Sequence, residues 1–227
     1  MTGSAKDNNY PGRIILTDDP LRAKMLVAHH LEYSKLVHEK GELVVYSGSY
    51  KQTSVAVVST GLGCCGVIDF FSETEKACLS EIIYIGECAS YSKEHTLRSV
   101  VLAEGGDLPL LERALKAASV YNIPVSTLPV IFHCGKAAAI ANNAIIDDGS
   151  GAGGIVCRVA VSSANGDIVG DIYSWAKNND VAALSVLTVT ENIATAEIME
   201  DHERHSRLYN AAHLAFETTA LEVNGLQ

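Results

Sequence analysis

An α/β fold, one domain with a central mixed and mostly parallel sheet flanked by helices, is what this chain predicts. Apolar runs of strand length alternate with longer helical patterns, which implies βαβ units. The alternation is unbroken by any linker, charge block or internal repeat, and 227 residues are enough to bury one full core. A polar extension, residues 1–12, is expected to precede the domain formed by residues 13–227.

The strands are expected at residues 13–16, 43–46, 54–59, 81–85, 99–103, 125–132, 155–161 and 183–189, each an apolar run. A first helix is expected at 20–33, because Pro20 lacks the N–H that a helix start leaves without a partner anyway. Helical patterns follow at 67–78, 108–121, 170–179 and 195–219. Residues 147–154 are the one loose stretch, where glycines remove backbone restriction.

Composition narrows the function. The formal net charge of −10 argues against nucleic acid or an anionic membrane surface as partner, since both need a basic footprint. No apolar run reaches membrane-spanning length, and residues 1–10 are polar, unlike a signal peptide. Cys64, Cys65, Cys78, Cys88, Cys134 and Cys157 show no C-x-x-C spacing, and several lie in apolar runs. Buried reduced thiols are the expectation, with no metal and no cofactor, in a cytoplasmic protein.

The most informative stretch is Thr17-Asp18-Asp19-Pro20-Leu21-Arg22-Ala23-Lys24, directly after the apolar run Arg13-Ile14-Ile15-Leu16. Arg22 falls in the first turn of a helix, beside the carboxyl end of a strand. Open α/β sheets bind ligands there, and a helix N-terminus favours anions. The segment resembles the G-D-P-x-R-A signature of the nucleoside phosphorylase family, of the purine nucleoside and uridine phosphorylase type. The resemblance continues along the chain. Tyr46-Ser47-Gly48-Ser49-Tyr50-Lys51 resembles F-T-G-T-Y-K, Thr60-Gly61-Leu62-Gly63 resembles H-G-M-G, and Ile83-Tyr84-Ile85-Gly86-Glu87-Cys88 matches R-V-G-S-C in frame. Leu97-Arg98-Ser99-Val100-Val101 resembles L-R-D-V-V, and Tyr173-Ser174-Trp175-Ala176-Lys177 then Leu187-Thr188-Val189-Thr190-Glu191-Asn192 echo Y-x-x-A-K and T-V-S-D-N. Residues 134–167 are the least family-like part.

The resemblance implies a phosphate site at Asp18, Arg22, Tyr84, Glu87 and, less securely aligned, Lys40, which stands where the family lends an Arg from a neighbouring subunit. Two cations thus face two carboxylates, where the family has three cations and none. Like charges about 4 Å apart cost on the order of 4 kcal/mol at an effective dielectric near 20. If the carboxylates pair with the cations instead, those cations are taken from phosphate. Ribose recognition is altered as well. The family's sugar-binding Glu aligns with Ile168, which accepts no hydrogen bond, and Asp167 could replace it only if the segment slides. Leu62, Phe132 and His133 complete the ribose and base positions. The base chemistry is best kept, because Glu191 and Arg204 stand where purine-specific members place the Asp and Arg that protonate the base.

Other patterns carry less. His202-Glu203-Arg204-His205 lacks the spacing of H-E-x-x-H, and residues 149–154 lack the Gly-Lys-Ser/Thr ending of a P-loop. Gly61-Leu62-Gly63-Cys64-Cys65-Gly66 fits G-x-G-x-x-G formally but follows the wrong strand for a dinucleotide site. Three functions are therefore in play. One is transfer of the pentosyl group from a purine nucleoside or uridine to phosphate, weakened or lost. The others are a non-catalytic purine base or nucleoside-binding pseudoenzyme and a nucleoside N-ribosyl hydrolase, with Asp18 or Glu87 as the general base. The family also implies a homo-oligomer built from dimers.

Overall fold

The sheet grows outward from β1 (Arg13–Thr17), an Ile-rich strand paired in parallel with β4 (Thr53–Ser59) on one side and β5 (Glu81–Ser90) on the other. Strand β10 (Ala182–Asn192) adds in parallel to β5, and β6 (Val100–Ala103) is antiparallel to β10. Strand β7 (Val125–Leu128) closes that side in parallel with β6. On the other side β3 (Leu43–Tyr50) and β2 (Glu32–Lys40) follow as antiparallel neighbours of β4, giving the order β2-β3-β4-β1-β5-β10-β6-β7. Three short strands complete the set: β8 (Val130–Ile131), β9 (Ile155–Cys157) against the far end of β5, and β11 (Glu197–Ile198) against β10. This computed structural model describes residues 11–61, 64–73, 79–131, 155–157, 168–206 and 208–221.

Six helices are seen among the described residues: α1 (Pro20–His30), α2 (Cys64–Glu73), α3 (Leu108–Val120), α4 (Ile168–Asn178), α5 (Asp201–Ser206) and α6 (Tyr209–Ala220). Strand alternation splits the core into two layers. Ile14 and Leu16 of β1 and Ile82 of β5 pack with Phe70 and Phe71 of α2 and Ile172 of α4. Ile15 and the β5 residues Ile83 and Ile85 pack on the opposite face with Leu26 of α1, Leu110 of α3 and Phe216 of α6. Helices therefore cover both faces, as a buried parallel sheet requires. The starts of α1 and α3 are built alike, with Asp19 accepting from Leu21 N at 2.8 Å and Asp107 from Leu110 N at 2.9 Å. Among the described residues no helix is long and apolar enough to cross a membrane.

Three expectations need correction. The first helix ends at His30 rather than residue 33, and β2 follows where no strand was expected. Seven of the nine β2 residues are exposed, so this edge strand carries charges and lacks the apolar run that marks a buried one. The run at 125–132 is interrupted at Pro129, whose nitrogen cannot donate to the ladder, leaving β7 and β8 as separate strands. The single helix expected over 195–219 is instead β11, α5 and α6. Asn192 sets that break. Its Oδ1 accepts from Thr195 N at 3.0 Å, while its amide donates to the carbonyls of Ser92 and His95 at 2.9 and 2.8 Å. Strands β5 and β10 also run further toward their carboxyl ends than expected, as far as Ser90 and Asn192. Cys88 is buried within β5.

Candidate functional site

Parallel pairing brings the carboxyl ends of β1, β5 and β10 to the same edge of the molecule. β1 ends at Thr17, Asp18 and Asp19 turn the chain, and α1 starts at Pro20, so Arg22 lies in the first helical turn. Arg22 is only 4% exposed. Its Nη1 donates to Asp18 Oδ1 at 3.0 Å and to Thr17 Oγ1 at 3.4 Å. Its Nη2 donates to Oε1 of Glu87, on β5, in an ion pair. The other oxygen of Glu87 accepts from Thr190 Oγ1 at 3.3 Å, so β10 helps to hold the carboxylate against Arg22. The Asp18 and Glu87 side chains are 14% and 16% exposed.

This cluster unites Asp18, Arg22 and Glu87, which the sequence placed together. Burial pushes the Asp18 carboxyl above its ordinary range, and the nearby Glu87 adds to the rise, while Arg22 opposes it. Burial works against the Arg22 charge too, but Asp18 and Glu87 outweigh it and hold the guanidinium protonated. The site thus contains a paired cation in place of an open one. A phosphate dianion approaching Arg22 meets two carboxyl groups that already occupy both Nη atoms. Arg22 Nε is buried without a hydrogen-bond partner.

Two threonines in the cluster, Thr17 and Thr190, went unnoticed in the sequence. Their signal was position alone: Thr17 ends β1 directly before Asp18, and Thr190 directly precedes Glu191. Tyr84 is buried on β5, with its ring lying over Gly86. A Cβ on Gly86 would stand 2.5 Å from Tyr84 Cε1, so the small residue is required for the ring to lie there. Lys40 sits at the exposed end of β2, and β3 and β4 separate that strand from β1.

Ile168 is the first residue of α4 and is buried in the core layer shared with Ile172 and Ala176. Glu191 lies just past a register shift in β10 and opposite Ile198 of β11. Burial raises the Tyr91 hydroxyl, and the charge of Glu191 adds to that shift. Arg204 is half-buried on α5, with its Nε lacking a hydrogen-bond partner. The adjacent Glu203 accepts from Arg98 Nη2 at 2.8 Å. Leu62, Phe132, His133 and Asp167 lie outside the described residues, as does the glycine-rich stretch 149–154.

No family model matches the chain. A DeoD-type purine nucleoside phosphorylase from Oceanobacillus iheyensis is 24% identical over 94% of this chain and 96% of that protein. Another, from Myxococcus xanthus, is 23% identical over 96% of each. Among solved structures, purine nucleoside phosphorylase from Toxoplasma gondii in complex with immucillin-H has a TM-score of 0.75 at 14% identity, covering 94% of this chain and 92% of that one. Uridine phosphorylase from Vibrio fischeri has a TM-score of 0.76 at 16% identity, covering 94% of each chain. The sheet and its flanking helices have the α/β fold of these phosphorylase structures. The chain is thus similar to DeoD-type purine nucleoside phosphorylases over nearly its whole length, and it shares its fold with purine nucleoside and uridine phosphorylase structures.

Proposed function

We propose that the protein is a member of the nucleoside phosphorylase family that binds a purine base, a nucleoside or uridine, and that its transfer of the pentosyl group to phosphate is weak or lost. The engagement of Arg22 by both Asp18 and Glu87 carries this reading. Phosphate binding requires a cation whose N–H groups are open to the anion. Here the strongest candidate cation is buried and compensated, and displacing Glu87 would also break its bond with Thr190. Ile168 supports the same reading on the ribose side, since its side chain offers nothing to a sugar hydroxyl.

On the base side, Glu191 is the group that hydrogen-bonds or protonates the purine, with Arg204 as its partner. The strand-end position of Glu191 suits a general acid. The net charge of −10 favours a small-molecule ligand over nucleic acid or a membrane surface. The assembly is a homo-oligomer of dimers in the cytoplasm, with Lys40 on the exposed edge strand facing the neighbouring subunit's site.

One observation favours a second reading. Asp18 and Glu87 put two carboxyl groups beside Arg22 at the strand ends, and a carboxylate so placed can act as a general base toward water. A water activated by Asp18 would make the protein a nucleoside N-ribosyl hydrolase. An assay of inosine, guanosine, adenosine and uridine cleavage, with and without phosphate, separates the readings. Slow or absent cleavage supports loss of phosphorolysis, phosphate-independent cleavage supports the hydrolase, and rapid phosphate-dependent cleavage contradicts both.

A further inference from the structure

A cavity of about 160 Å³ opens where α6 begins, apart from the Arg22 cluster. None of Thr17, Asp18, Arg22 or Glu87 lines it; its walls include Arg98, Thr188 and the first turn of α6 at Tyr209, Asn210 and Ala211. Three observations there point to one chemistry. The start of α6 is uncapped, because Leu208 at the cap position makes no side-chain hydrogen bond. The first-turn N–H groups of this 12-residue helix therefore lack an intrahelical partner and carry the positive end of its dipole. Thr188, on β10, is 2% exposed, and its hydroxyl is buried with no hydrogen-bond partner. A polar atom enclosed in this way calls for a ligand or water to satisfy it.

The third observation is Arg98. Its φ of 72° lies in the left-handed region, an uncommon conformation for a side chain of this size. A hydrogen bond from its N–H to the Val189 carbonyl, 2.8 Å long, holds it there. Its guanidinium donates to Glu203 at 2.8 Å, and the side chain is 49% exposed. Among the described residues Glu203 is the carboxylate paired with Arg98, and the Thr188 hydroxyl has no hydrogen-bond partner. The volume is well below the roughly 300 Å³ at which pockets for drug-sized ligands begin, and about five times the ~30 Å³ of a liquid water.

We propose that this cavity is an anion subsite that takes a single inorganic phosphate. The Thr188 hydroxyl, the Arg98 guanidinium and the amides of Tyr209 to Ala211 donate to its oxygens. The subsite is independent of whether phosphorolysis survives at Arg22. It also lies close to the main site, because Thr188 pairs in register with Glu87 across β10 and β5.

The test is a titration of the full chain with inorganic phosphate, followed by calorimetry and by the backbone amide resonances. Saturable shifts at Tyr209, Asn210 and Ala211 are expected, and Thr188→Val and Arg98→Gln should each weaken the affinity about tenfold, as loss of a charge-assisted or buried donor does. If either variant misfolds, the amide pattern of the unmodified chain still decides. Absence of saturable shifts at millimolar phosphate overturns the proposal. So does binding that is unchanged in both folded variants, or whose shifts centre on Leu21 to Ala23.

Discussion

Arg22 and Glu87 lie 65 residues apart in the chain and form a buried ion pair where the carboxyl ends of β1 and β5 meet. The pair is one half of a balance, because Asp18 holds the other arm of the guanidinium at 3.0 Å. Two carboxyl groups on one cation leave a site that is neutral only while one of them keeps its proton. That gives the cluster a dependence on pH.

The sign follows from Asp18, whose carboxyl is raised by burial in the folded protein. It holds its proton more tightly folded than unfolded, so its stabilising contribution is complete below the ordinary carboxylate value. That contribution is lost as pH rises through the raised value. Asp18→Asn cannot ionise. Its thermal midpoint relative to the unmodified protein should therefore rise as pH is increased from about 4 to about 8. A difference in midpoint that stays constant over that range would show that Asp18 is not held protonated.

A second buried carboxylate behaves in the opposite way. Glu217 on α6 accepts from Tyr50 Oη at 2.6 Å and from Lys51 Nζ at 2.6 and 2.8 Å. Burial alone would raise its carboxyl, but the hydrogen bonds from Lys51 and Tyr50 prevail and lower it. Lys51→Met leaves Glu217 without its charge partner, while the 50% exposure of Lys51 limits what the pair is worth. The expected cost is about 1–2 kcal/mol, or roughly 3–6 °C in thermal midpoint. No change in midpoint would mean that water replaces the lysine without loss.

The base side is tested by Glu191→Ala, which removes both a charge and an acceptor. Purine binding measured by calorimetry should weaken by about 1.5–3 kcal/mol, roughly ten- to a hundredfold. Unchanged affinity would remove Glu191 from the site. If the unmodified protein binds no purine, the fold serves assembly or a partner surface instead.

The central strands were legible because a buried parallel strand must be apolar throughout, and β1, β4, β5 and β10 meet that condition. β2 was not, since an edge strand open to water on both faces leaves no apolar run in Glu32–Lys40. The break between β11 and α6 depends on Asn192 meeting Ser92 and His95, about a hundred residues earlier, and no local period records such a contact. In the site, Asp18 and Arg22 stand four residues apart around a helix start, a spacing that brings side chains together. Glu87 entered only through its place in the family motif. That Tyr84 lies across Gly86, and that Thr190 anchors Glu87, are properties of side-chain placement across strands rather than of composition.

The most direct measurement is the rate of inosine and uridine cleavage with and without phosphate, in the unmodified protein and in a variant carrying Asp18→Gly and Glu87→Ser. Phosphate is expected not to accelerate cleavage by the unmodified protein. In the variant, Arg22 is released from both carboxylates, so phosphate should bind at Leu21 to Ala23 and any cleavage should become phosphate-dependent. Rapid cleavage by the unmodified protein only when phosphate is present would contradict the account, because the Asp18–Arg22–Glu87 cluster would then be no obstacle to the anion.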